Sequence, residues 1–238
     1  MKKYFKSLYK GSFSKLQENI LKNIHEKKKM FIVTANPETI MLCEKNKEMN
    51  SIIMDKNITV VADGIGVTKA AKKLQINDIH KIPGIDIANY LLKVSNEKKL
   101  KISLVGATKE VNQLLVEKIN NDFPNIKIIS SIDGYDNEKE KKFEESLKLN
   151  PDIIMVALGI PKQELFINKY YAKAKKGVFI GVGGSFDVIS GSKKRAPKFF
   201  LKTNTEWLYR IVREPSRLKR FYNSNIKFYF NLKKESKR

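Results

Sequence analysis

The sequence predicts an α/β fold, a Rossmann-like parallel sheet flanked by helices, followed by a basic helical C-terminal appendage. Three observations carry this. Short β-branched apolar runs alternate with helix-length stretches from Met30 to Val182, the pattern of a parallel sheet covered on both faces. The unusual residues sit directly after those runs, where strand C-termini share one edge of the sheet. The charge is also uneven: the chain has 47 Lys and Arg against 25 Asp and Glu, and residues 193–238 alone hold 15 against 3. The chain therefore divides into an α/β core over 1–192 and a basic, aromatic-rich appendage over 193–238.

Taken in order, Leu16, Ile20 and Ile24 recur at four-residue spacing and predict one amphipathic helix in the lysine-rich first 29 residues. Met30 to Val33 is a first strand. Asn36 and Pro37 then suit the cap and first turn of a helix over about 37 to 47. Ile58 to Ala62 is a second strand, followed by a helix from Val67 to Leu74. Lys81-Ile82-Pro83-Gly84 is a loop before a helix over Asp86 to Val94. The alternation then becomes regular, with strands at 101–105, 126–130, 152–158 and 178–182. Helices fill 109–123, the stretch to about 149, and the stretch to 175. After Pro197 an apolar-periodic helix runs to about Arg213, and Pro215 starts another. Trp207, within the first of these, is expected in the core.

The stretch Asp63-Gly64-Ile65-Gly66-Val67 organises the chemistry. A carboxylate at a buried strand end, before a glycine turn and a helix, lies where open α/β sheets place their ligands. Asp also favours helix N-caps, so a cap and a reacting carboxylate both fit. Thr34 and Asn36, Gly106, Gly134 and Tyr135, Gln163, and the Gly181–Asp187 loop all follow strands and converge on the same crevice. Glycine loops at helix N-termini suit phosphate. Gly181-Val182-Gly183-Gly184 does not match the dinucleotide fingerprint, and no Walker-type lysine loop is present. The two histidines, His25 and His80, form no ligand cluster, no Asp-x-Asp occurs, and no metal or other cofactor is expected. Cys43, the one cysteine, reads as a small buried residue.

These residues resemble a known family when read in sequence. The stretches are Thr34-Ala35-Asn36-Pro37-Glu38, Ala62-Asp63-Gly64-Ile65-Gly66-Val67, Pro83-Gly84-Ile85-Asp86, Gly134-Tyr135 and Gly159-Ile160-Pro161-Lys162-Gln163-Glu164. They continue through Gly181-Val182-Gly183-Gly184-Ser185-Phe186-Asp187, Ser190-Gly191, Arg195-Ala196-Pro197, Glu206-Trp207-Leu208-Tyr209-Arg210 and Glu214-Pro215-Ser216-Arg217. No single stretch is specific, but the ordered set is. The chain resembles the WecG/TagA/CpsF glycosyltransferases over nearly its full length, and TagA-like N-acetylmannosaminyltransferases most. Lys81 departs from the Arg expected before Pro-Gly, and Phe166 from the Trp expected after Gln-Glu.

The resemblance implies transfer of N-acetylmannosamine from UDP-ManNAc to undecaprenyl-diphosphate-linked GlcNAc, as in wall teichoic acid synthesis, with inversion and without metal. Relatives using other UDP-sugars, such as glucose or ManNAcA, are the alternative within the fold. A base must take the acceptor proton, and Asp63 is the candidate, with Thr34 and Asn36 orienting sugar or acceptor. Lys81, Tyr135, Gln163, Gly181, Gly183, Gly184 and Asp187 are the candidates for holding the nucleotide sugar. Gln163 also reads as an ordinary polar residue of a first helical turn.

All six arginines lie in the appendage, where a planar fork suits phosphate better than lysine does. Arg210, Arg213, Arg217 and Arg220 are the candidates for a lipid diphosphate. Leu218, Phe221, Tyr222, Phe228, Tyr229 and Phe230 supply an aromatic surface among them, which suits an anionic membrane face. The N-terminus lacks the apolar core of a signal peptide and no run reaches membrane-span length, so a cytoplasmic, peripheral protein is expected. A homo-oligomer is compatible with this. The overall charge also fits a nucleic-acid-binding protein, although no recognition motif supports one and the excess is concentrated in the tail. A nucleotide-binding module without catalysis is a further reading.

Overall fold

A computed structural model describes residues 1–235, without the side chains of Arg217 and Arg220. The diphosphate role expected of those two side chains thus lies outside the described residues. The centre is a six-stranded, all-parallel sheet in the order β2-β1-β6-β5-β3-β4. Its strands are β1 (Lys29–Ala35), β2 (Ile58–Ala62), β3 (Lys101–Gly106), β4 (Lys127–Ile132), β5 (Ile153–Ala157) and β6 (Gly177–Gly181). Residues alternate between the two faces. Phe31, Val33, Ile154, Val156 and Phe179 enter one core, while Met30, Ile32, Ile153, Met155 and Ile180 enter the other.

The first face is covered by α1 (Lys2–Lys6), α3 (Pro37–Cys43), α4 (Lys47–Met54), α5 (Ile65–Lys73), α8 (Lys139–Lys148), α9 (Lys162–Tyr171) and α14 (Lys227–Glu235). The second is covered by α2 (Phe13–His25), α6 (Gly84–Glu97), α7 (Lys109–Asp122) and α10 (Ser185–Ile189). The helix after β1 packs on the first face and the helix after β6 on the second. These strands are neighbours, so a crevice opens between their C-terminal ends, as at any topological switch point.

The predicted strands and core helices are present, with four corrections. The helix expected over 37–47 is two helices, because Asn46 starts a second one by accepting from Met49 N at 2.9 Å. The helix expected from Pro197 to Arg213 breaks into α11 (Lys198–Lys202) and α12 (Glu206–Arg213), with Asn204 between them at φ 58°. Trp207 is 42% exposed and stacks on Phe221 at 4.6 Å, so it is not a core residue. Phe228 is the reverse case: it was expected on an exposed aromatic surface, yet it is fully buried against Phe5.

The appendage continues through α13 (Arg217–Phe221) and a π-helical turn (Tyr222–Ile226) into α14. Through Phe228 and Leu232, α14 joins the first core, so the end of the appendage is packed into the body of the molecule.

Candidate active site

The six strand ends present their residues side by side. Asp63 follows β2, Thr34 and Asn36 end β1, Gly181–Gly184 follow β6, Gly159 follows β5, Gly106 ends β3, and Gly134 and Tyr135 follow β4. Five strand spacings separate Asp63 from Tyr135, about 24 Å, so an elongated ligand is needed to engage both ends.

At the β2 end, α5 takes Gly64, at φ 98°, as its N-cap, and no side chain caps it. The alternative reading of Asp63 as a helix cap therefore fails. Its backbone N–H donates to Ala35 O at 2.8 Å, which fixes it beside β1. Its carboxylate has no hydrogen-bond partner among the described residues. Burial pushes its pKa up to about 6; Arg210 and Lys81 pull it down, while Glu206 and Asp86 push it further up. A partly buried, unpaired carboxylate poised just below neutrality is equipped to accept a proton.

Asn36 is what Asp63 is not. Its side-chain oxygen accepts from Thr39 N at 2.9 Å, and its own N–H donates to Thr39 Oγ1 at 3.2 Å, a complete capping box for α3. Thr34 is buried beneath the start of α6, with its methyl group against Gly84. Both sit at the C-terminal end of β1, beside the β2 end that leads into Asp63.

Gln163 is only 2% exposed, and its side chain links two loops. Its Oε1 accepts from Gly159 N at 3.2 Å and Gly183 N at 3.0 Å, while Nε2 donates to Glu164 Oε1 at 2.8 Å. Gly183 N–H is consequently engaged within the protein. Gly181 has a packing reason: a Cβ there would lie 2.6 Å from Gln163 Nε2. Replacing Gly181 with Ala should displace Gln163 and lower unfolding stability by about 1–3 kcal/mol, measurable by denaturant titration.

The appendage closes on this edge through polar ties. Lys81 Nζ donates to Asn204 Oδ1 at 2.8 Å, and Arg195 pairs with Asp86 at 2.6 Å. Lys193 bridges Asp187, at 3.4 Å, and Glu214, at 3.0 Å. These ties bring Arg210 and its ion-pair partner Glu206 into the electrostatic environment of Asp63.

The structure thus gathers Asp63, Thr34, Asn36, Lys81 and Arg210 at one end. Tyr135 stands apart at the β4 end, 78% exposed, and Arg213 lies over the Tyr209 ring at 5.7 Å. Glu206, Asp86 and Glu164 belong to the site's surroundings, yet the sequence reading assigned them no role. The four-residue spacing of Glu206 and Arg210 was the available signal for the first. Among the described residues no group of three or more His, Cys, Asp or Glu is arranged to hold a metal ion.

Comparison with known proteins agrees with this architecture. The model of the "Glycosyl transferase WecG/TagA/CpsF family" matches residues 6–238. A protein of Bacillus subtilis (strain 168) named N-acetylglucosaminyldiphosphoundecaprenol N-acetyl-beta-D-mannosaminyltransferase is 39% identical over 206 residues, covering 87% of this chain and 80% of the relative. Proteins of the same name from Bacillus spizizenii and Staphylococcus aureus (strain MRSA252) are each 36% identical, covering 83% and 84% of this chain and 76% and 78% of their own lengths. With its fold, its crevice and these matches together, the chain belongs to the WecG/TagA/CpsF family of glycosyl transferases.

Proposed function

We propose that this protein transfers N-acetylmannosamine from UDP-ManNAc to GlcNAc-diphosphoundecaprenol, inverting the anomeric centre and requiring no metal. The observation that carries the reading is the half-buried Asp63 carboxylate at the β2 end, which has no hydrogen-bond partner among the described residues and feels the charges of Arg210 and Lys81. The names of the relatives supply the sugar and the acceptor. In a single displacement, the acceptor hydroxyl oxygen bonds to the anomeric carbon as the bond from that carbon to the UDP phosphate oxygen breaks. Asp63 takes the hydroxyl proton, and UDP leaves with the bonding pair. The guanidinium of Arg210 and the ammonium of Lys81 offset the charge that develops on the diphosphate. The nucleotide lies along the β6, β5, β3 and β4 ends, where Tyr135 offers an exposed ring for the base.

The acceptor is a lipid, and the appendage suits its surface. Trp207, Leu208 and Val212 are exposed on α12, the helix that carries Arg210 and Arg213, and Phe199, Leu218 and Phe230 are exposed nearby in the chain. No helix among the described residues is long and apolar enough to cross a membrane. The exposed apolar side chains beside basic ones support peripheral docking on the inner, anionic face, with the apolar side chains entering the headgroup region. Replacing Trp207 and Val212 together with Ser should weaken binding to anionic vesicles about tenfold in co-sedimentation. Soluble-acceptor turnover should change little.

The reading is tested by incubating the protein with UDP-ManNAc and a short-chain polyprenyl-diphosphate-GlcNAc in the presence of EDTA. The expected product is a β-linked disaccharide on the lipid, formed with one UDP per transfer. UDP binding without any transfer would refute the donor and acceptor assignment.

A further inference from the structure

Glu164 is a fully buried carboxyl on α9 with no ion-pair partner among the described residues. Its Oε1 accepts from Gln163 Nε2, and its Oε2 is buried with no partner at all among the described residues. Burial holds its pKa up at about 7, and Glu38 from α3 pushes in the same direction. As a core filler this is a poor choice, since an apolar side chain of the same volume avoids desolvating a carboxyl. The residue it touches gives the reason for keeping it.

Gln163 has two chemically opposite ends. Its Oε1 must face the N–H groups of Gly159 and Gly183, which tie the β5–α9 loop to the β6–α10 loop. Turned over, the amide would set its own N–H donors against those two donors and leave the loops unlinked. An acceptor on the other side of the amide selects the correct orientation, and Glu164 Oε1 is that acceptor. Gly181 leaves the space through which the side chain passes.

We infer that Glu164 is a positioning residue: by holding the Gln163 amide in one orientation, it locks together the two central loops of the strand-end crevice. That these loops face the nucleotide rests on the function proposed above. The lock itself does not, so the two ideas can be tested separately.

The test compares Glu164→Met, which fills the volume without an acceptor, and Glu164→Gln, which keeps one. Amide hydrogen exchange at Gly159 and Gly183 is followed by NMR, together with UDP affinity by calorimetry and thermal stability. In Glu164→Met, protection of these two amides should fall about tenfold or more while the β5 and β6 amides keep theirs. Its melting temperature should match or exceed that of the wild type, and UDP should bind about tenfold more weakly. Glu164→Gln should keep both protection and affinity within about threefold. Unchanged protection at Gly159 and Gly183 in Glu164→Met would overturn the inference. So would loss of that protection in folded Glu164→Gln, a comparison that holds even if the methionine variant fails to fold. Lost protection with unaltered UDP affinity would leave the lock standing and contradict the nucleotide assignment of the loops.

Discussion

Replacing Asp63 with Asn should lower the transfer rate by about 10²- to 10⁴-fold, the usual contribution of a positioned base, and leave UDP affinity nearly unchanged. Asn matches the shape of Asp but cannot take the acceptor proton. The same substitution should make the protein more stable at neutral pH. Asp63 titrates near 3.8 when unfolded and about 6 in the folded chain. Between these values the folded chain binds the extra proton, so Asp63 favours folding most below the lower value, and that advantage is lost as pH rises through 6. Above 6 the ionised carboxylate costs roughly 1–3 kcal/mol, which Asn removes. Thermal melts should therefore favour Asp63→Asn at about pH 8 and converge with wild type at about pH 3.5. Inactivity with unchanged stability at both pH values would mean that the carboxylate is not desolvated as described.

The second large effect is expected at Arg210. Its guanidinium pairs with Glu206 and, among the described residues, is the strongest influence holding the Asp63 pKa down. Arg210→Ala removes that influence and leaves Glu206 without its partner beside Asp63. The Asp63 pKa should then rise further, and on the proposed function the departing diphosphate should lose a stabilising cation. Turnover at neutral pH should drop about 10²- to 10³-fold, comparable to removing one preorganised charge-stabilising donor. Because part of the loss comes from protonation of Asp63, raising the pH should restore some activity to Arg210→Ala and none to Asp63→Asn. Arg210→Lys keeps the charge without the planar fork and should fall between wild type and the alanine variant.

The core of the fold was legible because its signals are local. A β-branched run such as Ile58 to Ala62, buried on both faces, admits few other readings, and the strand-to-helix rhythm sets the parallel topology. The crevice followed from topology, as the residues after the strands share one edge. What was not legible depended on distant partners. Nothing local to Phe228 distinguishes it from its exposed neighbour Tyr229; contact with Phe5, far away in sequence, decides. Trp207 shows the converse, a large apolar residue left at the surface on a short amphipathic helix. In the site, Asp63 and Asn36 looked alike as candidate caps, and only the structure separates the engaged capping oxygen of Asn36 from a carboxylate that caps no helix. Glu164 was visible as part of a motif, but its work on Gln163 emerges only once the two loops are seen to meet.

On the proposed function, the Asp63 carboxylate accepts the proton in glycosyl transfer. The most direct test is the pH dependence of kcat/KM for wild type and Asp63→Asn, because kcat/KM reports the ionisation of the free protein. For wild type, activity should rise with pH through a limb centred near the Asp63 pKa of about 6. The residual activity of Asp63→Asn should show no such limb. An Asp63→Asn variant that keeps both the wild-type rate and the same limb would contradict the account.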